Sequence, residues 1–254
     1  GALDLAIQIF TNTYSRKFMH QLVSGQVDVD RLDYLKLDSF YTGVTEGNIN
    51  TDRIVAMMNV DQEQLVFESK GVHSLEKFLL ARRLMYWQVY LHKTSLAAEL
   101  ILVKILYRFR ILTESGKESL TDSHVLFPFF NLNKASILEE SALETYLTLD
   151  DSDILALLKR WMKHEDIVLS RLSKQLINRD LPKVKLQSTP ISEEAINKKK
   201  DRLIHLNVSD SISDNFVFSG SVSNQTFTSD QAQILLQEKS GKINSIAKSI
   251  NYLD

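Results

Sequence analysis

The sequence lacks cysteine altogether and has little proline or glycine. Its 254 residues include 0 Cys, 3 Pro and 8 Gly. Without cysteine, disulfide bonds, cysteine-ligated zinc and thiol nucleophiles are excluded, which is typical of a reducing compartment, although a cysteine-free secreted protein is the alternative. The shortage of helix breakers beside abundant Leu, Ile, Lys and Glu predicts a mainly helical protein.

The sequence also has no large excess of charge of either sign, since its formal net charge is −2. Without a global positive potential, neither nucleic acid nor an anionic membrane surface is an expected partner. The most apolar stretch, residues 94–113, still contains charged side chains, namely Glu99, Lys104, Arg108 and Arg110. Central charges make membrane insertion costly. We therefore predict a core helix there and a cytoplasmic protein without a membrane partner.

Hydrophobic periodicity divides the chain into a long helical part and a shorter mixed part. In the first part, the predicted helices are one over 4–23, one or two long helices over 74–112 and a helical pair over 151–178. A brief strand is predicted at 64–69. The predictions beyond residue 180 are strands at 183–188, 214–220 and 233–238 and helices at 192–205 and 243–251. We therefore expect a helical domain over residues 1–180 and a small α+β lobe over 181–254.

The segment "DVDRLDYLKLDSFYTG", residues 28–43, is unusually rich in aspartate and tyrosine. Asp28 is the predicted N-cap of a helix that ends near Gly43 or Gly47. Four polar residues recur at i, i+4, i+8 and i+11 and therefore share one helical face: Asp30, Tyr34, Asp38 and Tyr41. An acid in the first turn alone is explained by the helix dipole. The aligned set favours a site with a metal-binding or sugar-binding carboxylate and tyrosine donors.

A second polar and aromatic face lies in "ARRLMYWQVYLHK", residues 81–93. Its members have the same spacing and are Arg82, Tyr86, Tyr90 and Lys93. Cations beside tyrosines can bind phosphate through charge-assisted hydrogen bonds and a sugar or base through the rings. The alternative is an amphipathic helix with half-buried tyrosines and solvated charges.

The sequence contains no HExxH metal motif, phosphate-binding glycine loop or GxSxG motif.

The segments at 28–38 and 81–93 together resemble the later half of the HD-domain deoxynucleoside triphosphate triphosphohydrolases, a dGTPase-like family. "INRDLPK", residues 177–183, and the tail resemble that family's helix-to-lobe junction and small C-terminal lobe. The resemblance implies the later half of an HD-domain helical bundle followed by a small α+β lobe. It also implies an enzyme that hydrolyses deoxynucleoside triphosphates to deoxynucleoside and inorganic triphosphate, using a divalent metal such as Mg, Mn or Fe.

Four residues match positions that bind metal or phosphate in that family. Asp30 matches a metal-binding aspartate of the HD site. Arg31 matches a catalytic-site position where relatives often have a phosphate-contacting lysine. Tyr34 matches a tyrosine near the triphosphate, and Arg82 matches a phosphate-binding arginine.

Three further residues match the sugar side of the pocket. Asp38 matches the acid that holds the 3′-hydroxyl, and Tyr90 the tyrosine that packs against deoxyribose. Tyr86 occupies a position where some relatives have histidine. The resemblance also implies a homo-oligomer involved in dNTP catabolism, with a regulatory nucleotide between subunits as an open question.

The sequence departs from the family pattern because it contains no HD dipeptide. The upstream histidine and histidine-aspartate ligands of the family therefore have no match. With the missing initiating Met, this favours a piece of a longer polypeptide, and a degenerate relative is the alternative. Three other functions stay open: a nucleotide-binding module without turnover, an HD phosphohydrolase for another nucleotide, and a helical interaction protein.

Overall fold

The computed structural model describes residues 1–117, 125–126, 129, 140–204, 208–222 and 234–248. These residues are mainly helical, which confirms the predicted fold class. They form two compact units, residues 1–92 with 222–254 and residues 93–221. Within the described residues, no helix combines the length and apolar character that crossing a membrane requires.

The first unit begins with helices that the periodicity only partly predicts. Its α-helices are α1 (Ala2–Phe10), α2 (Lys17–Ser24), α3 (Val29–Thr42), α4 (Thr51–Ala56) and α5 (Val72–Met85). The prediction of one helix over 4–23 is wrong, because Asn12 has a φ of 57°, which interrupts the helix between α1 and α2. The Thr11 hydroxyl bonds the Ile7 carbonyl at 2.8 Å, and such side-chain bonds compete with helix continuation.

Helix α3 begins and ends where the sequence predicts. The Asp28 carboxylate accepts a hydrogen bond from the Arg31 backbone N–H at 2.8 Å, which satisfies a free amide of the first turn. At the other end, Gly43 has a φ of 71°, a left-handed conformation that glycine adopts without steric cost. Leu32 and Leu35 are buried and hold the helix against the core of the first unit.

A small sheet in the first unit combines strands that are far apart in sequence. In spatial order, the strands are β1 (Met58–Asp61), β2 (Gln64–Glu68), β3 (Leu235–Gln237) and β4 (Ile243–Ser245). β1 and β2 form an antiparallel hairpin whose turn residues, Gln62 and Glu63, both have positive φ. β3 runs parallel to β2. The predicted division of the chain after residue 180 stays a prediction.

The other predictions for the C-terminal part have mixed outcomes. The helix at 192–205 is confirmed by a helix over Glu193–Ile204, and the strand at 233–238 is confirmed by β3, although residues 205 and 233 lie outside the described residues. Residues 183–188 and 214–220 form no strand, because an extended pattern without a partner strand makes no sheet. The predicted helix at 243–251 is wrong over 243–248, which form β4 and a 3₁₀ turn. Residues 249–251 lie outside the described residues.

The second unit is built from helices. They are α6 (Lys93–Glu114), α7 (Glu140–Thr148), α8 (Asp151–Trp161), α9 (Ile167–Ile177), α10 (Glu193–Ile204) and α11 (Asp210–Ser213). The helical pair at 151–178 is thus confirmed, and so are two long helices, α5 and α6, over 74–112. Phe109 and Trp161 pack with ring centroids 4.6 Å apart in the core of this unit.

Candidate functional site

The polar faces of α3 and of the segment after α5 meet in the first unit. The Tyr90 hydroxyl donates a hydrogen bond to Asp38 Oδ2 at 2.6 Å. Tyr90 also meets two other tyrosine rings edge to face, with centroids 6.0 Å from Tyr34 and 5.2 Å from Tyr86. All four side chains are half-buried. The structure therefore brings together four of the site residues that the resemblance predicts, and we call this group the tyrosine cluster.

A π-helical turn positions two members of the tyrosine cluster. Residues Tyr86–Tyr90 form this turn directly after α5, and the Leu91 N–H bonds the Tyr86 carbonyl at 2.7 Å. Such wide turns are rare and frequently lie at functional sites. The sequence predicts ordinary helical spacing here, because hydrophobic periodicity does not distinguish one inserted residue per turn.

The hydroxyls of Tyr34 and Tyr90 are held in their neutral, hydrogen-donating form. Burial raises the pKa of Tyr90 far above its usual value, and the hydrogen bond to the Asp38 carboxylate and its charge raise it further. Burial also raises the pKa of Tyr34, and so does Tyr86, while Arg82 and Arg31 act in the opposite direction. The Tyr90 proton is already donated to Asp38, so the Tyr34 hydroxyl is the one of these two that can donate to an anionic or oxygen-rich ligand at neutral pH.

Arg82, on α5, is a buried cation with incomplete hydrogen bonding. Its residue is only 5% exposed, and Nη1 donates to Gln26 Oε1 at 3.1 Å. Its Nε is buried and has no hydrogen-bond partner within the part of the chain that the structure describes. A buried charged group with an unsatisfied donor is costly, and such groups in native proteins call for a bound ion or another functional explanation. Arg82 therefore has the character of an anion-binding group.

Arg31 and Asp28 form an ion pair within the first turn of α3. The Arg31 guanidinium donates through Nη1 to Asp28 Oδ2, and also to the Gly25 carbonyl at 2.7 Å. Burial raises the pKa of Asp28, and this effect outweighs the lowering effects of the Arg31 N–H and guanidinium. Sequence reasoning identified Asp28 as a cap but missed this pair. The i, i+3 spacing of the two residues was the available signal.

The remaining predicted residues lie outside the tyrosine cluster. Asp30, the predicted metal ligand, is exposed in the first turn of α3. Tyr41 is 80% exposed and contacts the Phe40 ring edge to face. Lys93 belongs to the second unit. No group of three or more His, Asp or Glu side chains within the described ranges is arranged to hold a metal ion. Asp30 thus offers one carboxylate, and the described residues do not complete a metal site.

Gln26 is a site residue that the sequence did not reveal. It lies in the short segment between α2 and α3 and contacts Arg82 across 56 positions of sequence. No motif or periodicity marks such a long-range contact, because it depends on how α3 and α5 pack.

This chain is similar to several known proteins. Residues 49–123 match the family described as the HD associated region. The chain is 37% identical over 174 residues to the uncharacterized protein YwfO of Bacillus subtilis, covering 68% of this chain and 39% of that protein. It is 30% identical over 90 residues to a Dictyostelium discoideum protein named as a deoxynucleoside triphosphate triphosphohydrolase SAMHD1 homolog, covering 34% of this chain and 17% of that protein.

Solved structures show the same similarity over nearly the whole chain. A phosphohydrolase from Bacteroides thetaiotaomicron has a TM-score of 0.91 and 44% identity, covering 99% of this chain and 63% of that one. A hypothetical protein from Aquifex aeolicus, at 20% identity and a TM-score of 0.59, shares the fold. The chain thus spans about two fifths of YwfO and under two thirds of the Bacteroides protein. These similarities support an HD phosphohydrolase family, whose helical fold this chain has.

Proposed function

We propose that this chain forms part of a hydrolase that converts deoxynucleoside triphosphates to deoxynucleosides and inorganic triphosphate. The buried Arg82 guanidinium, whose Nε has no partner among the residues that the structure describes, is the observation that carries this proposal. The named activities of the Bacteroides and Dictyostelium relatives support the same reaction class. A triphosphate anion would supply the acceptor oxygens and negative charge that Arg82 lacks.

The phosphate side of the proposed site consists of cations and a neutral donor. Arg82 is proposed to bind a phosphate oxygen through its guanidinium, and Tyr34 to donate its hydroxyl to the same anion. Arg31 is proposed as a second phosphate-binding and catalytic cation, although its Nη1 already donates to Asp28 and Gly25. Cations held in place before the reaction stabilise the negative charge that develops on the leaving triphosphate.

The sugar side of the proposed site is the pair formed by Asp38 and Tyr90. The Asp38 carboxylate accepts a hydrogen bond from the 3′-hydroxyl, while the hydrogen bond from Tyr90 holds that carboxylate in place. The Tyr90 ring packs against deoxyribose and disfavours a 2′-hydroxyl. Tyr86 borders the pocket through its contact with Tyr90.

A divalent metal, such as Mg, Mn or Fe, would polarise a phosphate oxygen and supply an activated water when bound. Asp30 is proposed as one carboxylate ligand of that metal. Because the described residues do not complete a metal site, a second candidate function is a nucleotide-binding module that retains phosphate and sugar contacts without turnover. An HD phosphohydrolase acting on another nucleotide is the related enzymatic alternative.

The deciding experiment is incubation of the protein with each dNTP and each NTP in the presence of Mn²⁺ or Mg²⁺, with separation of products by ion-exchange chromatography. Deoxynucleoside with intact triphosphate is the expected result. Pyrophosphate or phosphate products would contradict the proposal, and dNTP binding without turnover would favour the binding module. Asp30→Asn should abolish turnover, whereas Asp33→Asn, an exposed change on the same helix, should not.

Three accompanying properties are proposed from the resemblance. They are assembly into a homo-oligomer, regulation by a nucleotide bound between subunits, and a cytoplasmic location. Light scattering with and without added dNTP tests the first two, since a regulatory nucleotide should shift the measured mass. An unchanged monomeric mass under all conditions would contradict both.

A further inference from the structure

We infer that Gln26 is a positioning residue that orients the Arg82 guanidinium for a polyphosphate anion, while the Nε of Arg82 has no acceptor among the described residues. The anion's chemical class rests on the proposed function. Gln26 Oε1 accepts a hydrogen bond from Arg82 Nη1 at 3.1 Å, and Arg82 is 5% exposed. A neutral amide fixes the guanidinium at one nitrogen, whereas a carboxylate at the same place would also neutralise it.

The neighbouring carboxylate of Asp28 does not replace Gln26 as the hydrogen-bond acceptor of Arg82. Asp28 is close enough to Arg82 for their charges to interact, but its oxygens accept hydrogen bonds from the backbone and guanidinium of Arg31. Arg31 thereby engages the buried acid, and Arg82 retains a buried Nε without a partner within the described residues. The combination of a satisfied acid and a neutral amide keeps one cation available for a ligand.

The backbone before Gln26 is fixed as well. A Cβ atom built on Gly25 would lie 2.1 Å from the Gln21 carbonyl oxygen, so only glycine fits between α2 and this segment. The Gly25 carbonyl also accepts a hydrogen bond from Arg31 at 2.7 Å. Close packing and a hydrogen bond therefore both fix the segment that carries Gln26, and a positioning residue requires such a fixed backbone.

The test is calorimetric titration of the protein with inorganic triphosphate in metal-free buffer. Gln26→Glu should raise the Kd by about ten-fold or more, because the new carboxylate pairs with Arg82. Gln26→Met, which keeps side-chain length but removes the acceptor, should raise the Kd by about three-fold to ten-fold. Gln8→Glu is the control, because it makes the same charge change on the exposed surface of α1 and should leave the Kd unchanged.

A pH titration separates positioning from a merely structural effect. When the pH falls far enough to protonate the carboxyl introduced by Gln26→Glu, this side chain again resembles the amide, so the Kd of this variant should approach that of the wild type. The titratable groups that interact with Arg82, namely Asp28 and Tyr34, are common to both proteins, and so is Arg31, which interacts with both of them. Their contributions therefore cancel in the ratio of the two Kd values, and thermal unfolding verifies that each variant is folded.

The outcomes of the two proposals are distinguishable. Wild-type triphosphate binding that is unchanged in both Gln26 variants would overturn the inference, and so would a wild-type protein that does not bind triphosphate. If triphosphate binds and Gln26→Glu weakens it, but no dNTP is hydrolysed, the inference stands and the proposed reaction fails.

Discussion

The two units of the molecule each contain an aspartate that caps a helix and also binds an arginine, but the pairs have different surroundings. In the second unit, Asp166 accepts from the Leu169 N–H at 2.9 Å and from Arg108 Nε at 3.1 Å, which joins α9 to α6. In the first unit, Asp28 caps α3 and binds Arg31 within the same turn. One pair connects two helices, and the other is local.

The pKa values of the two acids shift in opposite directions. Burial opposes ionisation of Asp166, but the Arg108 and Leu169 hydrogen bonds outweigh it and lower the pKa. At Asp28, burial dominates and the pKa rises. The same pair of residue types therefore stabilises the second unit, whereas in the first unit it places an energetically costly buried carboxylate beside Arg82. We interpret that cost as part of building an anion site.

The largest predicted difference between the units concerns activity. Arg82→Met should reduce kcat/KM for the preferred dNTP by about 100-fold or more, because it removes a preorganised cation from the developing phosphate charge. Arg108→Met removes a cation of the second unit and should leave kcat/KM unchanged. Steady-state assays of both variants test this contrast, and equal losses in the two would contradict the functional division between the units.

The second prediction concerns stability and reverses the order of the two arginines. Arg108→Met should lower the free energy of unfolding by about 2 kcal/mol, since it removes hydrogen bonds to a mostly buried charged acid. Arg82→Met should lower the free energy of unfolding by less, because an apolar side chain replaces a buried guanidinium whose Nε is unsatisfied within the described part of the chain. Urea unfolding followed by circular dichroism measures both, and a larger loss for Arg82→Met would show that Arg82 is primarily structural.

The third prediction concerns how the stabilising contribution of Asp166 depends on pH. Because the pKa of Asp166 is lowered in the folded protein, its stabilising contribution is present above the unfolded pKa of about 3.9 and is lost as pH falls through the lower folded value. Asp166→Asn should therefore lose stability relative to wild type near neutral pH, and this difference should shrink on acidification. Urea midpoints measured against pH test the sign, and a difference that grows in acid would refute it.

The smallest predicted effect belongs to Asp28. Asp28→Asn keeps a good N-cap and removes a buried charge, so the free energy of unfolding should change by less than about 1 kcal/mol at neutral pH. Since the folded pKa of Asp28 is raised, the wild-type protein should lose stability relative to this variant as pH rises from about 3.9 through the folded pKa. A pH dependence with the same sign as that of Asp166 would remove the contrast between the units.

Local signals in the sequence predicted α3 well, and they predicted the C-terminal part less well. Both ends of α3 follow from Asp28 and Gly43, whose effects act within one turn. Residues 183–188 and 214–220 do not form the expected strands, whereas β3 pairs with β2. Alternating residues indicate that a segment can be extended, but they do not reveal whether another strand lies beside it.

The sequence by itself determined the helical character, the limits of α3 and the helical face that carries Asp38, because helix propensity, capping and residue spacing are local properties. Tertiary structure alone decided that Tyr90 reaches Asp38, that Gln26 holds Arg82, and that Asp28 and Asp166 have opposite pKa shifts. These features depend on distances across dozens of residues and on burial, and both arise only when the helices pack.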